Sequence, residues 1–219
     1  MTPPRITVLI SGRGSNLAAL LAAMAAGGLG GTVTTVIANR ADAGGLAIAA
    51  RHGVATRVVE HRSYATRDDF DTALAAAVDA TAPDLIVLAG FMRVLGAAFV
   101  QRYVGRMLNI HPSLLPAYAG LHTHRRALAD GVRVHGCTVH FVTPDVDVGP
   151  IVAQAAVPVH DGDTEDALAA RVLAAEHLLL PAVVRWYCSG RLVVDGRRVS
   201  VRDANAGSGE FLFAPAVAP

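Results

Sequence analysis

Short apolar runs alternate with longer alanine- and leucine-rich stretches along the first half of the chain. Residues 6–10 (ITVLI) are apolar and β-branched and read as a strand. A glycine-rich turn follows, and a helical pattern starts there and runs to about Ala26. Residues 32–38 give a second strand, residues 43–52 a helix closed by Gly53, and residues 55–59 a third strand. Residues 68–80 read as a helix with acidic side chains in its first turn, where the helix dipole favours them. The unbroken apolar run 85–89 (LIVLA) suits the centre of a sheet covered on both faces. A short helix over 97–103 and a strand over 107–110 complete this half.

Strands that alternate with helices imply an α/β fold with a mostly parallel central sheet and helices on both faces. The pattern changes after residue 130. Two strands, 137–142 and 151–159, flank a turn-rich loop, and a long helix spans 164–187. Residues 192–194 and 198–201, separated by Asp195-Gly196, read as a hairpin. No repeat or long linker divides the chain, so residues 1–202 are expected to be one domain and 203–219 a tail.

Composition narrows the function classes. The 219 residues are 53% hydrophobic, with a net charge of +1 from 19 Lys+Arg against 18 Asp+Glu. That balance lacks the basic footprint of a nucleic-acid binder. The mean hydropathy is +0.41, yet no run approaches the roughly 18 consecutive apolar residues of a membrane span. Met1 to Arg5 lead straight into a strand, so no secretory signal is expected. Cys137 and Cys188 form no paired motif, which suits a reduced, cytoplasmic setting.

The chemistry concentrates at the end of the 107–110 strand, in Leu108-Asn109-Ile110-His111-Pro112-Ser113-Leu114-Leu115-Pro116. Asn109 and His111 are two apart, so an extended backbone sends both side chains to one face. An amide can polarise a carbonyl and an imidazole can move a proton, a combination suited to acyl chemistry. The two prolines stiffen the loop. The histidine needs an orienting carboxylate, for which Asp147 is the candidate and Asp145 the competitor. Near the N-terminus, Gly12-Arg13-Gly14-Ser15-Asn16 joins the first strand to a helix and lacks both a third glycine at Leu17 and a Gly-Lys-Ser/Thr signature. It reads as a cradle for one phosphate, or as a tight turn with a serine cap. His122 and His124 form a His-x-His pair, but without cysteine or acidic ligands at metal spacing no metal is expected.

Together these segments, with Gly90-Phe91-Met92-Arg93, Gly120-Leu121-His122-Thr123-His124, His140-Phe141-Val142 and Asp147-Val148-Gly149-Pro150-Ile151, resemble the phosphoribosylglycinamide formyltransferases, folate-dependent transformylases of purine synthesis, over roughly residues 5–202. The resemblance implies a Rossmann-like formyltransferase fold with a C-terminal long helix and β-hairpin. It implies formyl transfer from 10-formyltetrahydrofolate, as co-substrate, to the amine of 5'-phosphoribosylglycinamide. By that resemblance Asn109, His111 and Asp147 are catalytic. Gly14, Ser15, Asn16, Gly90, Met92 and Glu176 hold the ribonucleotide. Arg67, Met92, Arg93, Val94, Leu95 and Asn109, with Thr143, Pro144, Asp145, Val146 and Asp147, hold the folate. The N-terminal half would bind the ribonucleotide and the C-terminal half the folate, and Pro116 is expected to follow a cis peptide. The expected partners are these two small molecules, with no nucleic acid and no membrane, for a monomer or homodimer. The alternatives are another formyl enzyme of the superfamily, such as formyltetrahydrofolate hydrolase or methionyl-tRNA formyltransferase, and a non-catalytic nucleotide-binding module. The tRNA enzyme would need an added RNA-binding domain and more basic charge.

Overall fold

The computed structural model describes residues 2–203. Except for Asp203, the expected tail lies outside the described residues. In chain order the elements are β1 (Arg5–Ile10), α1 (Ser15–Ala25), β2 (Thr32–Ala38), α2 (Gly44–Arg51), β3 (Ala55–Val58), α3 (Arg67–Asp79), β4 (Leu85–Leu88), α4 (Ala97–Arg102) and β5 (Met107–His111). They continue with α5 (Thr123–Ala129), β6 (Val134–Phe141), β7 (Ile151–Pro158), α6 (Glu165–Cys188), β8 (Leu192–Asp195) and β9 (Arg198–Val201). A single 3₁₀ turn covers His61–Ser63.

All the strands join one sheet in the order β3-β2-β1-β4-β5-β6-β7-β9-β8. The β3-β2-β1-β4-β5 portion is parallel. At β6 the direction reverses: β5 pairs antiparallel with β6, and β6 with β7. The hairpin predicted near the C-terminus is β8–β9, with Asp195 paired to Arg198, so its two-residue loop is Gly196-Arg197, one position later than expected. It joins the sheet through a parallel contact of Ile151 with Arg198.

Strand parity sorts the core into two layers, one on each face. Ile6, Val8 and Ile10 of β1 point toward Leu17, Leu20 and Leu21 of α1 and Val172 and Val183 of α6. Leu9 points the other way, toward Phe70 and Leu74 of α3 and Phe99 of α4. With both faces covered, β4 is buried along its whole length.

Thr66 caps α3 by accepting from the Asp69 N–H at 3.1 Å, and Thr164 caps α6 in the same way from Ala167 at 3.1 Å. The α6 helix has 24 residues and an 18-residue stretch of mean hydropathy 1.6, long and apolar enough to cross a membrane. In this fold it lies against β6, β7 and α1 instead and buries Leu168, Val172, Leu180, Val183 and Val184.

Candidate active site

In β5 the same parity decides what reaches solvent. Leu108 and Ile110 face the α1/α6 layer, and Met107 faces the α3/α4 layer beside Phe99 and Tyr103. Asn109 and His111 share the face of Met107 but lie further along the strand, past the end of that apolar layer. They emerge at the carboxyl end of a parallel strand, where open α/β sheets bind ligands.

On β6 the residue directly opposite Asn109 is His140, and opposite His111 is Thr138. The His140 Nδ1–H donates to the Phe141 carbonyl at 2.9 Å, which leaves Nε2 as an acceptor. Asn109 Nδ2 donates to it at 3.1 Å. One Asn109 N–H is therefore committed to His140, and its orientation is set by a buried ring; the second is free for a ligand.

His111 is 6% exposed. Its Nε2–H donates to the Tyr118 carbonyl at 3.0 Å, and Nδ1 lies 3.4 Å from Asp147 Oδ2. Asp147 Oδ2 also accepts the Gly120 N–H at 2.9 Å, and Oδ1 lies 3.7 Å from His140 Nε2. Asp147 therefore joins the loop before β7 to the loop after Pro116 and holds the two histidines on one carboxylate. Its backbone is left-handed, with φ 57°.

The charges follow from these contacts. Burial alone would raise the Asp147 pKa, but His140 and His111, whenever either carries a proton toward the carboxylate, and the Gly120 N–H hold it below the usual value. Burial lowers the His111 pKa and outweighs the opposing pull of Tyr118 and Asp147. Asp147 does favour the charged form of His111, but burial outweighs it and the neutral ring prevails. A proton taken up at Nδ1 would face Asp147 directly, so the pair suits a transient proton carrier better than a standing cation.

The loop between Pro112 and Pro116 is held by more than its prolines. Buried Thr138 donates to the Ser113 carbonyl at 2.7 Å and accepts from the Leu115 N–H at 3.0 Å. Gln154 donates to the Leu115 carbonyl at 2.8 Å and to Thr138 Oγ1 at 2.9 Å. The Leu115-Pro116 peptide is cis, as expected.

Two clefts meet beside this group. The first, about 510 Å³, is lined by Met92, Arg93, Val94, Leu95, Asn109 and His111 and by the whole Thr143–Asp147 loop. The second, about 950 Å³, is lined by Gly14, Ser15, Asn16, Gly90, Met92 and Glu176. Gly90, Met92, Arg93, Ile110, Pro112 and His124 border both. The fold therefore brings together all the residues expected at each site except Arg67. Arg67 starts α3 and lines a neighbouring groove with Asp71 and Gly96.

The glycine-rich loop is built by close approach. Gly14 has φ 80°, and a Cβ there would come within 2.5 Å of Gly45 Cα at the start of α2. Gly14 occupies the N-cap of α1 without a side-chain cap, so Ser15 is the first helical residue and not the cap. The first-turn N–H groups and the Ser15 hydroxyl are thus left for an anion. Asn16 Nδ2 donates to Glu176 Oε2 at 2.6 Å, a buried contact between α1 and α6. Burial pushes the Glu176 carboxyl above its ordinary pKa against the pull of Asn16.

Sequence reasoning missed several lining residues. Asn39 and Arg40 after β2, and His61 and Arg62 after β3, border the larger cleft. The signal was available, since each pair follows the carboxyl end of a parallel strand. Thr138 and Gln154 carried no such signal, since each lies mid-strand, and His140 entered only within a resembling segment, with no role assigned. Among the described residues no group of three or more His, Cys, Asp or Glu side chains could hold a metal ion. His124, of the His-x-His pair, borders both clefts and stacks edge-on against His135, with ring centroids 5.3 Å apart.

Comparison with known proteins places these features in context. The family described as "Formyl transferase" matches residues 4–184. The phosphoribosylglycinamide formyltransferase of Escherichia coli (strain K12) is 51% identical over 187 residues, covering 85% of this chain and 88% of that protein. The trifunctional purine biosynthetic protein adenosine-3 of Homo sapiens is 48% identical over 186 residues, covering 85% of this chain and 18% of that much longer protein. The crystal structure of glycinamide ribonucleotide transformylase 1 from Symbiobacterium toebii superposes with a TM-score of 0.90 at 50% identity, covering 92% of this chain and 95% of that one.

Proposed function

Because the chain belongs to the formyl transferase family, we propose that Asn109, His111 and Asp147 carry its reaction by direct attack, with no acyl-enzyme. The enzyme transfers the formyl group of 10-formyltetrahydrofolate to the amine of 5'-phosphoribosylglycinamide, a step of purine biosynthesis. The observation that supports this assignment is the position of the three side chains beside the junction of two clefts of different character. The smaller cleft, walled by Met92, Val94, Leu95 and Val146, suits a flat heteroaromatic ring. The larger, with the open first turn of α1 and Arg13, Arg62 and Arg93 on its walls, suits a phosphorylated sugar.

On this reading the ribonucleotide phosphate rests on Gly14, Ser15 and Asn16, and Glu176 holds the glycinamide end. Gly90 and Met92 complete that side. Met92, Arg93, Val94 and Leu95 with residues 143–147 hold the folate, and Arg67 sits beyond them as a distant contributor. The amine attacks the formyl carbon, and negative charge develops on its oxygen. The free N–H of Asn109 donates to that oxygen, already oriented by His140. Neutral His111 takes the proton from the attacking nitrogen, Asp147 balances the resulting charge, and the proton passes on to N10 of the departing folate. The bound phosphate supplies remote binding energy that fixes the amine in place. On the same reading residues 1–202 act as one domain, ribonucleotide-binding in the N-terminal half and folate-binding in the C-terminal half. The enzyme then works in the cytoplasm as a monomer or homodimer on two small molecules.

The test is folate release from 10-formyltetrahydrofolate with and without phosphoribosylglycinamide. Release that requires the ribonucleotide is expected. Release without it would indicate a hydrolase, and no release with it a binding module.

A further inference from the structure

Residues 90–96 belong to no helix or strand; 90–95 wall the smaller cleft, and Gly90, Met92 and Arg93 border the larger one too. Phe91 and Leu95 anchor the segment in the core at 8% and 7% exposure, while Met92 and Val94 between them stand out at 69% and 54%. Such a segment has no ladder of its own to fix its shape, so its backbone hydrogen bonds must find partners elsewhere. Two buried side chains supply them. Ser11 Oγ accepts the Met92 N–H at 2.7 Å, while the Ser11 N–H donates to the Gly90 carbonyl at 3.2 Å. At the other end Asp71 Oδ2, from α3, accepts the Gly96 N–H at 2.6 Å.

From these contacts we infer that Ser11 and Asp71 are positioning residues for formyl transfer, strapping the 90–96 segment so that it presents a fixed surface to the folate. Ser11 has a second consequence. It immediately precedes the Gly12–Asn16 loop and itself lines the larger cleft, so one residue ties the phosphate cradle to the folate wall. Asp71 holds only the Gly96 end of the segment, which follows Leu95 of the smaller cleft. Its other oxygen, Oδ1, is buried without a partner. Leaving a carboxylate oxygen unpaired is unfavourable, and an apolar side chain would fill α3 at this point without that penalty. The bond to Gly96 is what the carboxylate provides in return. Gly96 fits the same arrangement, since a Cβ there would come within 2.8 Å of Asp71 Oδ2.

The inference rests on the reading of the smaller cleft as the folate site. Steady-state kinetics and amide hydrogen exchange together test it. Asp71→Ala should raise the folate KM about tenfold, on the scale of one hydrogen bond, and leave the ribonucleotide KM within about twofold. It should speed exchange of the Gly96 amide. Asp71→Asn keeps an oxygen acceptor and should restore both. Ser11→Ala should raise both KM values and speed exchange of the Met92 amide, with Ser11→Thr restoring them. A merely structural role would lower stability without this split. If Asp71→Ala fails to fold, Gly96→Ala pushes the carboxylate off the amide from the other side and should raise the folate KM alike. Unchanged KM values and unchanged exchange in folded variants would overturn the inference. A wild-type enzyme without transfer activity would instead overturn the functional reading, while exchange at Met92 and Gly96 would still decide whether the straps exist.

Discussion

At His111 each ring nitrogen faces an acceptor, the Tyr118 carbonyl on one side and Asp147 on the other, while burial favours the neutral ring. Truncation to alanine should therefore lower kcat by about 10²- to 10⁴-fold, the usual worth of a positioned acid–base group, without loss of the folded state by circular dichroism. A variant with near-normal kcat would remove His111 from the mechanism. The pH profile gives a sharper check. If neutral His111 is the working base, kcat/KM falls as pH drops through its pKa, which lies below the ordinary histidine value of 6.5. The charge on Asp147 raises that pKa, so Asp147→Asn should move the acid limb to still lower pH while reducing the rate. A limb that stays put or moves upward would contradict the assigned coupling. Asn109 and His111 were legible in sequence because an i, i+2 spacing on a strand carries its own geometry. The role of His140 was not, since a lone histidine on a strand does not announce a partner 31 residues away.

Among the elements, nearly all of the strands and helices lie within a few residues of where apolar periodicity puts them. The exceptions have local causes. The sequence pattern starts a strand at Cys137, but β6 begins at Val134, because Gly136 lies so close to β7 that a Cβ would meet the Ala155 carbonyl at 2.0 Å. A glycine that reads as a break is there to permit close approach of two strands. The α5 helix, only 7 residues long, is too short to show an apolar period. The α1 N-terminus offers the test at this scale. Gly14→Ala combines a left-handed backbone with a 2.5 Å approach to Gly45, so it should cost about 2 kcal/mol or more in urea unfolding. It should also raise the ribonucleotide KM far more than the folate KM. Equal effects on both substrates would argue against a phosphate cradle at this loop.

For the whole molecule, acid stability is the measurable consequence of burying histidines without partners. His135 on β6 is 1% exposed, with neither ring nitrogen hydrogen-bonded. Burial, helped by nearby His124, lowers its pKa from 6.5 to about 4. The native state then refuses a proton that the unfolded chain accepts, so stability falls as pH drops from 6.5 toward 4. At about 1.4 kcal/mol per pKa unit the loss is about 3 kcal/mol. His111 and His124, also lowered by burial, act in the same direction. His135→Phe should flatten the pH dependence of urea-unfolding stability over that window. Parallel curves for the two proteins would show that His135 does not set it.

The sequence by itself determined the α/β class, the alternation of elements, the glycine-rich turn into the first helix and the shared face of Asn109 and His111. Each of these depends on residues within one or two turns or strands of each other, where periodicity and turn chemistry are local. Only the tertiary structure decided that Asp147 reaches His111, that His140 orients Asn109, that Glu176 meets Asn16 and that Arg67 stands apart from the cleft. Those relations span 31 to 160 residues where hydrogen bonds record them. They depend on which strands become neighbours, on the reversal of direction at β6 and on how deeply each group is taken out of water.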